Sequence, residues 1–369
     1  MMQALTNRYG EMGPVEKRNR PAVREDYLGV ALACYALWRQ VSSVIANERE
    51  YFVAKRESAY AAAADILSPH ACVFASVGAD GLEALLRQIE NDNEPLAGSF
   101  VSALLNETGL PVMSGRFRGY SQIGYRIKPG KMLILEKGSL VDQVGYEGTG
   151  GVVVSLGSCW SLGEFSKGGL YVNLGGAVRI GSRGGDSVRI NFANHRKQRA
   201  VVRSVNSIVL PTESFDMAYR ATGGLDVNLC WEYAMGTEAS SGTRLNYGVL
   251  NLLGIGAASE SRAVNAGRMV PATTPYHLSV TADADVFRWK GIVGKNEFFD
   301  IVNRKGDGRA VTLAREIRRM CFEARDLVTK SAKQERSAET IAAYDWAGFE
   351  AGIRARAGEM GKHLGDDLA

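Results

Sequence analysis

The sequence predicts an α+β chain with its helices and strands segregated: an N-terminal helical region with a long amphipathic helix, a Gly-rich all-β middle, and C-terminal helices. Three observations carry this. Apolar residues recur at helical spacing in the proline-free stretch between Pro21 and Pro69. Between Pro111 and Leu210, β-branched residues and glycines dominate. From Asp307 onward the spacing is helical again. Helices, then strands, then helices is the order of a segregated α+β protein, whereas alternation would mark a doubly wound parallel sheet.

Residues 1–21 read as a flexible arm of Gly, Pro and charge without a period. Leu28, Leu32, Tyr35, Trp38, Val41, Ile45 and Phe52 then follow one another at helical steps, which places one apolar stripe on a helix. Unbroken as far as Ser68-Pro69, such a helix would run ~70 Å; a break near Asn47 fits equally well. Shorter helices are expected at 81–90 and 96–108, closing a helical region over residues 22–110.

The β-rich region, residues 111–302, contains a regularity of 18 residues. Val152, Val154 and Leu156 are followed at that offset by Leu170, Val172 and Leu174, and then by Val188, Ile190 and Phe192. Glycines keep the same step at Gly145, Gly163 and Gly181, at Gly157 and Gly175, and at Gly151 and Gly169. Two architectures fit: a meander or sandwich with evenly spaced hairpins, and a short stack of parallel β coils, each burying its face against its neighbours. The double glycine Gly168-Gly169 before Leu170–Val172 resembles the coil boundary of the glycine-patterned β-helix domain of glutamate synthases and formylmethanofuran dehydrogenase subunits. That resemblance covers roughly 50 residues and would make the chain a β-helix subunit of an oxidoreductase complex. Beyond Pro211, strands are expected at 225–231, 245–253, 276–281 and 286–293. The segment 303–369 carries the stripe Leu313, Ile317, Met320, Ala324 and Leu327, then Ile341, Trp346, Phe349 and Ile353.

Composition narrows the function classes. The 369 residues are 46% hydrophobic and carry a net charge of +4, which excludes wholesale disorder and a dedicated, strongly basic nucleic-acid binder. Five dispersed cysteines argue against a disulfide framework, and against zinc sites of the CxxC kind. The four histidines form no metal-binding motif, so neither metal nor cofactor is expected. The N-terminus lacks a signal-peptide core and no stretch reaches ~18 uncharged apolar residues. The expectation is therefore a cytoplasmic protein, or a particle assembled in the cytoplasm, without a membrane partner.

Gly157-Ser158-Cys159-Trp160 resembles the nucleophile segment of papain-type cysteine peptidases. The resemblance implies Cys159 as nucleophile, His277 as base and Asn296 as its orienting residue, with the thiolate favoured by a helix start. Leu156 stands where that family has a further cysteine. Gly254-Ile255-Gly256 has the form of a dinucleotide-binding turn, but Ser259 replaces the third glycine. Asp283 and Asp285 read as solvated loop acids. The basic residues Arg116, Arg118, Arg126 and Lys128, with Arg196, Lys197, Arg199 and Arg203, are the candidates for contact with a polyanion such as nucleic acid.

The leading expectation from these features is a non-catalytic structural or assembly protein, a shell, capsid or scaffold subunit. It would self-associate as a homo-oligomer through Leu28, Leu32, Tyr35, Trp38, Val41 and Ile45. The alternatives are an enzyme of either kind named above and a polyanion-binding module.

Overall fold

A computed structural model describes residues 22–47, 52–74, 79–92, 94–192, 216–229, 231–236, 238–253, 260–265, 268–269, 297–300, 308–332 and 337–363. The long apolar stripe is divided between two helices, α1 (Ala22–Asn47) and α2 (Phe52–Leu67). They run antiparallel: the Trp38 indole Nε1 donates to the Ala59 carbonyl at 2.9 Å, and Lys55 Nζ donates to the Ala46 carbonyl at 2.6 Å. A four-residue helix α3 (Ala71–Phe74), then α4 (Ala79–Asp92) and α5 (Ala97–Glu107), complete an N-terminal layer. Every residue of α5 from Ala97 to Asn106 is buried. Its Phe100 ring packs against Tyr35 and Trp38 of α1, with centroids 5.2 and 5.3 Å away.

The β region is a solenoid of parallel coils. Nine strands form one sheet: β1 (Val112–Gly115), β3 (Met132–Leu135), β5 (Thr149–Ser155), β7 (Gly168–Asn173), β9 (Val188–Asn191), β11 (Leu225–Asn228), β13 (Ser241–Asn246), β15 (Glu260–Asn265) and β17 (Glu297–Asp300). The alternate strands form a second sheet: β2 (Arg118–Ile123), β4 (Leu140–Val144), β6 (Ser158–Leu162), β8 (Gly176–Ile180), β10 (Asp216–Met217), β12 (Trp231–Met235), β14 (Val249–Leu253) and β16 (Arg268–Met269). All pairings among the described residues are parallel, and neighbours within each sheet are alternate strands in sequence. This excludes the meander or sandwich, whose hairpins would pair consecutive strands antiparallel. The 18-residue period is the length of one coil: Val152 pairs with Leu170, and Leu170 with Val188.

The turn glycines show why the period is marked by Gly. Gly145, Gly163 and Gly181 lie at φ of 67, 68 and 66°, the left-handed region that side chains with a Cβ rarely enter. A second left-handed residue follows two positions later in each turn, at Glu147, Phe165 and Arg183. One coil further on, Ala218 holds the same place at φ 67° without being glycine. Gly175 answers to a different constraint. A Cβ there would fall 1.5 Å from the Gly157 carbonyl oxygen of the preceding coil.

Alternation sorts each strand of the nine-stranded sheet into two faces. Leu133, Val153 and Tyr171 point into the coil, where they join Val144, Leu162, Ile180, Met217 and Met235 of the second sheet. Ile134, Val154, Val172, Ile190, Val227 and Leu245 point outward and are buried beneath C-terminal helices. Those helices are α6 (Arg309–Ser331), α7 (Ser337–Ala342) and α8 (Trp346–His363). They contribute Leu313, Ile317, Cys321, Ala324, Trp346, Phe349 and Ile353 to that layer. The expected α6 stripe is therefore the one that packs, with Cys321 and Val328 buried where Met320 and Leu327 are only half-buried. The arm of residues 1–21 and the strands expected at 276–281 and 286–293 lie outside the described residues.

Candidate functional site

Cys159 sits within β6, on the inward face of the coil, fully buried and paired in register with Val141 and Ala177. No helix starts there, and burial pushes its thiol up to about 12. A thiol of that kind is a small apolar group, not a nucleophile. Trp160, its neighbour, points outward and lies beneath the Arg179 guanidinium, 6.0 Å from ring centroid to Cζ. His277 and Asn296 lie outside the described residues, as do Gly254, Gly256, Ser259, Asp283 and Asp285. Among the described residues, no group of three or more His, Cys, Asp or Glu side chains is placed to hold a metal ion.

The basic run around β2 is engaged largely within the chain. Arg126 pairs with Glu57 at 2.7 Å and Glu147 at 3.0 Å, and Lys128 pairs with Glu107 at 2.6 Å. These bonds belong to a seam between α2, α5 and the first coil. Tyr60 Oη donates to Glu107 Oε1 at 2.6 Å, and Asn106 Nδ2 donates to the Tyr125 carbonyl at 2.8 Å. Arg116 and Arg118 are exposed, and Arg118 Nε donates to the Gly138 carbonyl at 3.0 Å. Arg196, Lys197, Arg199 and Arg203 fall outside the described residues.

Two polar features inside the solenoid, one of them charged, escaped the sequence reading. The first is a line of ions. Asp226 is held by Arg189 Nε at 2.7 Å and by Arg244 Nε at 3.3 Å, and all three side chains are 0% exposed. Arg189 also donates through Nη1 to the Gly181 carbonyl at 2.8 Å and through Nη2 to the Gly223 carbonyl at 3.0 Å. The second is an amide ladder. Asn173, Asn191, Asn228 and Asn246 each donate through Nδ2 to the Oδ1 of the next asparagine, the last acceptor being Asn265, at 3.0, 3.4, 2.9 and 2.8 Å. Both features are buried and linked chiefly to partners within the stack, so they hold coils together and offer nothing to a ligand.

The surface that faces outward with unusual chemistry is on α1. Tyr35, Trp38 and Ile45, three members of the expected contact stripe, are buried in the chain's own core, and Leu28 and Leu32 pack half-buried against it. Their cover comes from α2, α4 and α5. Val41 alone of that stripe is exposed, at 37%. It belongs to a second stripe around the helix: Ala33, Leu37, Val41 and Val44, with Val44 exposed at 62%. Val53, at the start of α2, is exposed at 48%, so three of the four exposed large apolar side chains among the described residues lie on the α1–α2 hairpin. Between Leu28 and Asn47 the only charge is Arg39, which pairs with Asp92 at 3.1 Å beside a groove lined by Leu32, Tyr35, Gln40, Ser43 and Gln88. By length and composition this segment could also cross a membrane; a third of its most apolar window is buried inside the protein. The signal for the second stripe was present in the sequence as the near absence of charge on any side of the helix.

The chain matches no family model, no curated protein and no solved structure.

Proposed function

We propose that this chain is a non-catalytic assembly protein, a shell, capsid or scaffold subunit, that associates with copies of itself through the outward face of α1. The observation that carries the reading is the uncharged stripe Ala33, Leu37, Val41 and Val44 on α1, with Val53 on α2 also exposed. An apolar stripe on the outside of a helix whose other face is already packed is a liability for an isolated subunit and a ready contact for a second copy. A face without charge is also compatible with itself: across a two-fold axis no like charges are brought together. The parallel solenoid behind it supports the same reading, since its regular coils form a stiff body that presents the hairpin at one end.

The test is sedimentation of the native chain and of Val41→Asp/Val44→Asp at micromolar concentration. The native chain is expected to sediment as an oligomer and the variant as a monomer with an unchanged circular dichroism spectrum. A native chain that sediments as a monomer, or a variant that retains the native assembly state, contradicts the proposal. Substitutions at Trp38 or Tyr35 would not serve, because both are core residues whose loss unfolds the cap.

A further inference from the structure

The outer face of the second sheet carries a polar row that the features above leave unexplained. Strand register sets Gln122 of β2, Gln143 of β4, Ser161 of β6 and Arg179 of β8 side by side. Residues in register in a parallel sheet point to the same face. Here that face is the one met by the helical layer, because Gln143 Oε1 accepts a hydrogen bond from Arg56 Nη1 of α2 at 2.6 Å. The row runs from cover toward solvent. Gln122 and Ser161 are 2% and 1% exposed, whereas Arg179 is half-exposed and lies over the half-exposed ring of Trp160.

The row is rich in donors. Ser161 Oγ and Arg179 Nε are buried atoms with no hydrogen-bond partner among the described residues, and so is Gln122 Nε2. Native structures pair buried polar atoms with protein, water or an ion. The Gln143 amide oxygen does not serve them, since Arg56 already takes it. Charge points the same way. Arg56 is only 7% exposed, Arg179 adds a second guanidinium, and the row contains no acid. Burial lowers the pKa of Arg56 from its ordinary value in spite of the opposing charges of Asp142 and Glu147. Asp142 is itself exposed, and Glu147 is paired with Arg126.

We propose that Ser161 and Arg179 hold a monatomic anion of the chloride class on the outer face of the second sheet. Neighbouring strands lie about 4.8 Å apart, so one ion can accept from the Ser161 hydroxyl and the Arg179 Nε–H together. Water is the poorer match: it would accept from both donors and then have hydrogens of its own to place. An anion only accepts, and it offsets positive charge that burial has stripped of solvent. Phosphate and sulfate bring more oxygens than this pair of donors can serve, and Ser161 is too enclosed to admit them. Access is from the side of Arg179 and Trp160, where the row meets solvent. Bound there, the ion joins β6 to β8, one strand from the Arg56–Gln143 contact that seats α2 on the sheet. The site is separate from the α1 face and does not depend on self-association.

The experiment is thermal unfolding of the full-length chain in sodium chloride and in sodium gluconate, matched in ionic strength between about 5 and 500 mM. A bound anion stabilises the folded chain by mass action, so the midpoint is expected to climb further in chloride than in gluconate. Bromide should act as chloride does. Ser161→Ala and Arg179→Gln should each remove the difference between the two salts. Gln122→Met, two strands away, should keep that difference whatever it does to the midpoint, which separates the site from a general loss of packing. Line broadening of the chlorine-35 resonance gives a measure that does not pass through stability. The native chain and Gln122→Met should broaden the chloride line, and Ser161→Ala and Arg179→Gln should leave it sharp. The proposal is overturned if chloride and gluconate give the same midpoints, the outcome expected of ordered water alone. It is equally overturned if Ser161→Ala and Arg179→Gln keep the native response, or if sulfate produces the effect and chloride does not.

Discussion

At Gly163 the backbone is at φ 68°, and a Cβ would meet the Tyr171 ring at 3.0 Å. Gly163→Val therefore combines backbone strain with a clash, and it should lower the stability measured by urea unfolding by about 1–3 kcal/mol. Ala218→Gly is the converse experiment in the equivalent turn. Glycine relieves the left-handed strain there but loses more chain entropy on folding, so the unfolding midpoint should stay level or rise. If Gly163→Val were silent and Ala218→Gly damaging, the turn would not be under the constraint argued for it. The buried thiols give a second residue-level outcome. Burial raises Cys34 to about 11 and Cys159 and Cys321 to about 12, from an ordinary value of 9.0. Above pH 9 the unfolded chain sheds these protons while the folded chain keeps them, so the folded state binds more protons and stability falls as pH rises toward 12. Cys159→Ala should remove part of that slope in urea titrations run across the alkaline range; an unchanged slope would mean that the thiol is not buried as described. The turn glycines were legible in the sequence because a left-handed position narrows the choice of residue. The state of Cys159 was legible only as one of two readings, since Gly157-Ser158-Cys159-Trp160 spells a strand turn and a nucleophile segment alike.

The helices and the strands differ in how much the sequence said about them. The division of the apolar stripe into α1 and α2 had only a possible break near Asn47 to announce it, because alanine-rich helix continues with equal comfort on both sides. In the β region the period announced the coil length, yet not which face each apolar residue takes. Val154, Val172 and Ile190 were noticed for their alternation, but they face the C-terminal helices, and the coil interior is lined instead by Val153, Tyr171 and Arg189. Both faces of these strands are buried, so alternation of apolar with polar residues gives no direction. The ion line was hidden for the same reason: an arginine between apolar neighbours reads as the exposed face of a strand. Asp226 lies 37 positions after its partner Arg189 rather than 18, because the sequence between β9 and β10 is longer than in the other coils while the register of β11 on β9 is kept. Asp226 thus ties β9, before that longer segment, to β13 after it. Asp226→Asn would remove the buried carboxylate that the Arg189 and Arg244 guanidinium groups share and should cost about 3–5 kcal/mol in urea unfolding. A loss below about 1 kcal/mol would show that the line contributes little to holding the two halves of the stack in register.

Taken as a whole, a parallel solenoid has a problem that a closed barrel does not: the first and last coils expose strand edges that can pair with another chain. At the N-terminal end the helical layer answers this. The edge strand β2 is met by α5, and the approach is so close that a Cβ on Gly98 would fall 1.7 Å from the Gln122 carbonyl oxygen. Ser102 Oγ accepts a hydrogen bond from the Tyr125 N–H at 3.0 Å just beyond that strand, extending the seam. The helices therefore have two roles that are separable by mutation: α5 covers an edge, and the outward face of α1 offers the proposed contact between copies. Gly98→Val should force α5 away from β2 and uncover the edge. The expected result is lowered stability together with association that grows with time and does not stop at a defined size in light scattering. Val41→Asp/Val44→Asp should act in the opposite sense, reducing association while leaving the unfolding midpoint nearly unchanged, since those side chains are exposed. If both variants shifted association in the same direction, cap and contact would not be separate functions of the layer, and assembly through α1 would lose its physical basis.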